Sequence, residues 1–251
     1  MSGSVALVGA GPGAADLLTL RAVRHLREAD VILYDRLVSS EILSLAGVKP
    51  DLIDVGKLPG HAEEIQDRIH RLMVSYVRAG ASVVRLKGGD PMVFGRVGEE
   101  LARLSEEGID ATVVPGISSA IGLPALLGLP LTMRDVSSGF AVLTGQRTYG
   151  IADLGPYIAV DTLVVLMGVR HRTRLARGLI DAGRQGTQPV AFIEDGSTPV
   201  ERIVVSHLGE VADDLVTVRS PAVWVIGDVV DIWSQRTNPT RRVPVLDPTQ
   251  G

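Results

Sequence analysis

Short apolar runs that break into glycine-, proline- or acid-bearing turns recur along the first half of this 251-residue chain. Val5 to Val8 ends in Gly9-Ala10-Gly11-Pro12-Gly13-Ala14, Val31 to Tyr34 in Asp35-Arg36, and Leu52 to Val55 in Gly56-Lys57. Ser82 to Leu86 runs into Lys87-Gly88-Gly89-Asp90-Pro91, and Thr112 to Val114 into Pro115-Gly116-Ile117-Ser118-Ser119. Segments of helical period lie between them: Leu17 to Glu28 behind a capping Asp16, Ser40 to Leu45, His61 to Arg78 with Ile65, Ile69, Leu72 and Val77 inward, and Val97 to Glu107. Strand alternating with helix favours a parallel sheet covered on both faces. The turns would then share one rim, the edge where open α/β sheets take ligands.

The stretch from Val83 to Arg96 carries the densest turn chemistry. Gly88 and Gly89 reach backbone angles closed to other residues and let a ligand approach the main chain. Pro91 sets one turn angle and donates no N–H. Asp90 stands at the strand end, as a turn cap or as a ligand contact. Ile121 to Leu131, rich in Gly, Pro and Leu, reads as the crossing into a second half. Strands are expected there at Gly139 to Leu143, Thr162 to Leu166 and Pro189 to Ile193, with a helix over Arg170 to Ala182. Glu201 to Val205 and Ala222 to Ile226 are expected to pair as later strands around a helix at Leu208 to Leu215. The polar segment from Asp231 is expected to end in a loose tail.

Composition narrows the classes. Hydrophobic residues make up 45% and aromatics only 4%, so the core is aliphatic. With no cysteine there is no disulfide, thiolate metal site or cysteine nucleophile, which fits a cytoplasmic protein. Apolar runs are broken well before the length of a membrane span. The first residues lack the basic-then-apolar order of a signal peptide. A net charge of −4 argues against a general nucleic-acid binder. The five histidines show no ligand spacing, so no metal site is expected. Gly116 to Ala120 is not a nucleophile elbow, which disfavours hydrolase chemistry.

Gly9-Ala10-Gly11-Pro12-Gly13-Ala14 also fits a dinucleotide fingerprint, with Asp35 placed as a ribose-binding acid. Pro12 removes one N–H from that loop, and Asp16 puts a negative charge where a phosphate would sit. A NAD- or FAD-binding oxidoreductase stays open on these residues alone.

Five motifs in order resemble one family. They are Val8 to Gly13 with Leu17-Leu18-Thr19-Leu20; Val84 to Pro91 with Phe94-Gly95-Arg96 and Glu99-Glu100; Val114 to Ala120; Pro130-Leu131-Thr132-Met133-Arg134; and Thr162 to Gly168. Together these resemble the tetrapyrrole (class III) methyltransferases, over about residues 4 to 230, and most nearly the branch acting on uroporphyrinogen III. The resemblance implies two α/β domains with mainly parallel or mixed sheets and the active site in the cleft between them. The first domain would span 1–116, the second 121–235, and a tail 236–251. It implies S-adenosylmethionine as methyl donor, no metal, a homodimer, and two methyl transfers giving precorrin-2. It implies the single-function form, without a fused dehydrogenase and ferrochelatase module. It leaves sirohaem and cobalamin pathways open, and a methylase of a later corrin intermediate remains an alternative. So does a non-catalytic nucleotide-sensing module.

By the same resemblance, Pro12, Gly88, Gly89, Asp90, Val93, Ser118, Ser119, Met167 and Gly196 match S-adenosylmethionine contacts, and Asp35 and Lys57 match a proton acceptor and a proton donor. For Asp35 the plain alternative is an ion pair with Arg36 or a helix cap, for Lys57 a solvated turn lysine, and for Met167 core filler. The acceptor would lie over Gly11 to Gly13 and Asp35. A substrate bearing many carboxylates needs cations, and Arg binds a carboxylate through two parallel bonds. Candidates at strand ends and loops are Arg21, Lys57, Lys87, Arg96, Arg134 and Arg147. Arg85 shares a strand face with Lys87 but lies farther from the turn. Glu63-Glu64, Glu99-Glu100 and Glu106-Glu107 read as solvated helix faces.

Overall fold

A computed structural model describes residues 3–57, 61–146 and 154–236. The chain divides into two units, Met1–Ser119 and Ala120–Gly251.

The first unit alternates strand and helix. Its strands are β1 Ser4–Gly9, β2 Val31–Tyr34, β3 Asp51–Asp54, β4 Ser82–Lys87 and β5 Ala111–Val114. Its helices are α1 Leu20–Glu28, α2 Ser40–Leu43, α3 Ala62–Arg78 and α4 Val97–Glu106. The strands form one sheet in the order β3-β2-β4-β1-β5, and every pairing is parallel. Alternate residues of each strand serve opposite faces. Val5, Leu7, Leu33 and Val83 pack with Ile69, Met73 and Val77 of α3 and Leu104 of α4. Ala6, Val8, Ile32 and Leu86 pack with Ala22 and Leu26 of α1 and Ile42 of α2. Both faces are apolar because both are covered.

Helix α1 begins three residues later than its periodicity suggests. Thr19 is its N-cap, its hydroxyl accepting from Ala22 N at 3.1 Å. Asp16 instead lies in a short 3-10 turn, Ala15–Leu17. Either oxygen-bearing side chain can cap; the turn of backbone at Ala15 decides which does.

The second unit carries α5 Ser119–Leu126 (whose first residue belongs to the first unit), β6 Phe140–Thr144, β7 Thr162–Leu166, α6 Arg172–Asp181, β8 Pro189–Glu194, β9 Arg202–His207, α7 Leu208–Ala212, β10 Ala222–Ile226 and α8 Val229–Arg236. Its sheet runs β6-β7-β10-β8-β9; β6 and β7 are parallel and the other pairs antiparallel. One face packs Leu163, Val165, Phe192 and Trp224 against α6 and α7; the other packs Val164, Ile193 and Val225 against α5 and α8.

Three features go beyond the expectations, and the first of them corrects one. First, β9 and β10 do not pair with each other. Strand β8, buried at every residue, lies between them, and the half-exposed β9 takes the edge. Second, the segment Ile121 to Leu131 is helical as far as Leu126 despite Gly122 and Pro124. The proline is buried within α5, and Gly128 ends the turn in a left-handed conformation. Third, the segment from Asp231 is helical through Arg236, because Trp233 is buried and its indole N–H donates to Leu127 O at 2.9 Å. Residues 237–251, expected as a tail, lie outside the described residues.

Candidate active site

In the first unit, three strand-end turns meet backbone to backbone. Ala10 N donates to Lys87 O at 2.7 Å. Gly11 and Gly89 exchange both of their backbone bonds, at 3.1 and 2.7 Å, and close a small antiparallel bridge. Both are left-handed, with φ of 71° and 67°, so both need glycine. A Cβ on Gly9 would lie 2.6 Å from Gly116 Cα, and one on Gly116 would lie 2.4 Å from Gly89 O. The ends of β1, β4 and β5 therefore approach to a distance that no larger residue permits.

Asp90 binds this assembly from the side. Its Oδ2 accepts from Gly116 N at 3.0 Å and its Oδ1 from Met92 N at 2.9 Å. Ser119 N and Oγ lie 3.5 Å, and Ser118 Cα 3.8 Å, from where a Cβ on Gly89 would stand. Gly88 is exposed, with only Leu37 Cβ within 4 Å of its own missing side chain. The rim thus brings Gly11, Gly88, Gly89, Asp90, Ser118 and Ser119 together, with Gly11 and Gly89 buried and bonded to each other and Gly88 exposed. Pro12 and Gly13 continue the loop, where Gly13 O accepts from Ser39 Oγ at 3.3 Å. Val93 is half-buried, its N–H donating to Asp90 O at 3.2 Å.

Behind the rim lies a cluster of four charges. Asp35, just past β2, accepts from Arg85 Nη2 at 2.5 Å, and 36% of its side chain is exposed. Its ion-pair partner is therefore Arg85, fifty positions along the chain, and not Arg36. Arg85 Nη1 also donates to Leu86 O at 3.2 Å and Leu33 O at 3.4 Å, and Nε to Glu100 Oε1 at 3.4 Å. Lys87 Nζ donates to the same Oε1 at 2.9 Å. Arg85, Lys87 and Glu100 are all buried.

Two expectations fail at this cluster. Glu100 is not on a solvated face: it shares the buried side of α4 with Val97 and Leu104. Lys87 is not a surface cation held out to a carboxylate-rich ligand, because its ammonium is enclosed and paired with Glu100. Burial, then the charge on Arg85, pull the Lys87 ammonium below its ordinary pKa, with Glu100 and Asp35 acting the other way.

The other expected cations fall in different places. Arg21 is exposed on α1. Arg96 stands in a left-handed conformation ahead of α4 and is paired with Glu99 by two bonds, at 2.5 and 3.0 Å. Lys57 closes the 3-10 turn Val55–Lys57, and its side chain lies outside the described positions. Arg147 lies outside the described residues.

In the second unit, Arg134 is exposed in a tight loop closed by Ser137 N donating to Met133 O at 2.8 Å. Met167, just past β7, has φ of 55° and is 42% exposed, so it is not core filler. Its turn is closely packed: a Cβ on Gly145 would lie 2.2 Å from Gly168 Cα, and one on Gly168 would lie 3.3 Å from the Trp224 ring. Gly196 is packed on Leu123, where a Cβ would come within 2.6 Å of a methyl, and it lies between two left-handed residues, Asp195 and Ser197. The buried Glu194 anchors that loop. It accepts from Arg202 Nε at 2.6 Å, Arg202 Nη2 at 2.8 Å and Arg219 N at 2.7 Å.

A profile described as Tetrapyrrole (Corrin/Porphyrin) Methylases matches residues 4–212. The chain belongs to that family. Among tetrapyrrole methylases, the uroporphyrinogen-III C-methyltransferase of Bacillus subtilis is 43% identical over 235 residues, 91% of each chain. A chloroplastic uroporphyrinogen III methyltransferase of Arabidopsis thaliana is 43% identical over 239 residues, 92% of this chain; the chain spans 64% of that longer protein. A uroporphyrin-III C-methyltransferase of Thermus thermophilus, solved with S-adenosyl homocysteine, superposes with a TM-score of 0.80 at 49% identity, covering 91% of this chain and 94% of that one. The tetrapyrrole methylase assignment decides between the two readings of the Gly9 loop. It removes the grounds for a dinucleotide domain, and the Asp35–Arg85 pair supplies a different use for the acid. Among the described residues no cluster could hold a metal ion, and no helix is long and apolar enough to cross a membrane.

Glu100 and Glu194 are the charged residues that reading by residue type missed. The signal for Glu100 was present: it falls three residues after Val97 and four before Leu104, on the helix's inward stripe. Glu194 had a weaker one, as an acid directly at the end of a fully apolar strand.

Proposed function

We propose that this protein transfers methyl groups from S-adenosylmethionine to two ring carbons of uroporphyrinogen III, giving precorrin-2. In each transfer the sulfur–methyl bond breaks and a carbon–methyl bond forms. S-adenosylhomocysteine leaves, and the ring sheds one proton. The observation that carries this reading is the 49% identity, over 91% of the chain, to an enzyme whose structure was solved with S-adenosyl homocysteine.

The chain's own residues divide the work. Gly88, Gly89, Asp90, Val93, Ser118 and Ser119 on the first unit receive the donor, with Pro12 in the neighbouring turn. Met167 and Gly196 on the second unit are assigned to it by the same resemblance. Glycine at 88 and 89 lets donor atoms approach the main chain, and positioning of this kind can supply much of a methyl transfer's rate. Asp35 takes the ring proton, and Lys57 is the proton donor, any proton it returns being matched by a second one lost from the ring. Gly11 and Gly13 underlie the macrocycle, and Arg21, Arg96, Arg134 and Arg147 are the cations for its carboxylates. The protein acts as a homodimer in the cytoplasm.

The test is incubation with uroporphyrinogen III and S-adenosylmethionine labelled in the methyl group, with the product weighed by mass spectrometry. A gain of two labelled methyl groups is expected. Label that enters only a later corrin intermediate would reassign the substrate, and tight NAD binding without S-adenosylhomocysteine binding would overturn the reading.

A further inference from the structure

We propose that Glu100 is a positioning residue for Asp35: by neutralising Arg85 and Lys87 behind the rim, it keeps Arg85 committed to the Asp35 carboxylate. The inference rests on the reading of Asp35 as the group that takes the ring proton.

The geometry is specific. Strands β2 and β4 pair in parallel with Leu33 opposite Arg85 and Tyr34 opposite Leu86, so Asp35 lies one step past the paired segment. Arg85 reaches it from within the sheet, where only 2% of the arginine side chain is exposed. The guanidinium is held by two backbone carbonyls in the middle, Asp35 at one end and Glu100 at the other. An arginine fixed at three sides presents its remaining N–H in one direction, and that direction sets where the Asp35 oxygen sits.

Lys87 complicates this arrangement. It lies two residues along the same strand face, is as buried as Glu100, and feels the Asp35 charge as well as that of Glu100. Two enclosed cations therefore face one enclosed carboxylate and one half-exposed carboxylate. Glu100 occupies Lys87 through Oε1, the oxygen that also receives Arg85 Nε. Its Oε2 is buried with no hydrogen-bond partner. A carboxylate with an orphaned buried oxygen is a poor choice for packing alone, since an apolar side chain between Val97 and Leu104 would avoid that desolvation. What the apolar side chain lacks is the charge. Without it, Lys87 and Arg85 would compete for Asp35, and the carboxylate would be drawn back from the rim.

The experiment uses the full chain and three variants: Asp35→Asn, Glu100→Gln, and the charge-balanced double variant Glu100→Gln with Lys87→Gln. Each is measured for kcat and KM with uroporphyrinogen III and S-adenosylmethionine, for S-adenosylhomocysteine affinity by calorimetry, and for thermal melting. Asp35→Asn is expected to lower kcat about a hundredfold, the scale of a lost acid–base group. Glu100→Gln is expected to lower kcat about tenfold while KM for the donor stays within about twofold, as for an interaction used only in the reacting complex. The double variant is expected to recover kcat to within about threefold of the parent, because removing Lys87's charge removes the competitor. A role confined to holding α4 on the sheet would change melting and leave this recovery absent. If Asp35→Asn is impaired and Glu100→Gln turns over like the parent, the inference falls and the reading of Asp35 stands. If Asp35→Asn keeps full kcat, the reading of Asp35 itself falls. Should Glu100→Gln fail to fold, the double variant decides: a folded protein that binds S-adenosylhomocysteine normally but turns over as poorly as Asp35→Asn overturns the proposal.

Discussion

Replacing Gly116 with alanine tests whether the rim is held at a distance that only glycine permits. The added Cβ would stand 2.4 Å from Gly89 O, 2.8 Å from Gly9 Cα and 2.9 Å from Gly9 C, where ordinary contact begins near 3.4 Å. All three are backbone atoms, so no side chain can swing aside. Gly89 O must recede by about 1 Å to reach ordinary contact. That atom accepts from Gly11 N at 3.1 Å, and a 1 Å retreat takes the bond beyond hydrogen-bonding range. The cost combines overpacking, about 1–3 kcal/mol, with one lost backbone bond, about 1 kcal/mol. A destabilisation of about 2–4 kcal/mol follows. Because Gly89 is also among the residues proposed to contact the methyl donor, S-adenosylhomocysteine should bind more weakly, by about tenfold if the displacement costs one hydrogen bond. Denaturant unfolding and calorimetry read the two effects separately. Gly98→Ala is the control: Gly98 is exposed on α4 with nothing within 4 Å of a Cβ, so alanine there should be neutral or stabilise by up to about 1 kcal/mol. If Gly116→Ala melts and binds like Gly98→Ala, the close meeting of the three turns is not what shapes the site.

Three other outcomes follow from the same structure. Asp90→Ala leaves the N–H groups of Gly116 and Met92 without their acceptor and should weaken S-adenosylhomocysteine binding by about 1–3 kcal/mol; parental affinity in calorimetry would remove Asp90 from the site. Met167→Gly relieves a left-handed non-glycine residue, so the protein should melt no lower than the parent while KM for the donor rises; an unchanged KM would separate Met167 from the donor. Glu194→Gln should destabilise by about 2–4 kcal/mol at neutral pH, since it breaks a pair that has one partner buried and the other, Arg202, half-exposed. Burial pushes the Glu194 carboxyl up, but Arg202 and the Arg219 N–H outweigh it and hold the group below its ordinary 4.5. A carboxyl lowered in the folded state contributes stability that is complete above 4.5 and is lost as pH falls through the lowered value. The gap between parent and Glu194→Gln should therefore narrow in acid, and a gap that widens there would refute the assignment.

Local pattern accounts for much of the first unit. Its strands and helices alternate because apolar runs of period two alternate with runs of period 3.6, and both periods are properties of neighbouring residues. The glycines at 9, 11, 88, 89 and 116 were legible for the same reason: all lie at strand ends or in the turns after them, and at 9, 11, 89 and 116 a side chain would clash or strain the backbone. The methylase signatures were legible as strings, since ligand-binding turns are short and continuous in the chain. The second unit was less readable. Nothing local states that β8, and not β9, is the neighbour of β10, because antiparallel partners are chosen by which strand must be buried on both sides. Helix α8 was missed because its polar residues are local, whereas the burial of Trp233 depends on Leu127, 106 positions away.

Charge is where tertiary structure decided most. Residue order alone puts Asp35, Arg85 and Lys87 at or near strand ends and Glu100 on a helix. Only the fold brought Arg85 to Asp35 across adjacent strands, turned Glu100 inward from α4, and enclosed Lys87 between them. An apolar side chain declares its destination through its own transfer free energy. A charged one does not, because its fate depends on whether a partner from elsewhere in the chain arrives to meet it.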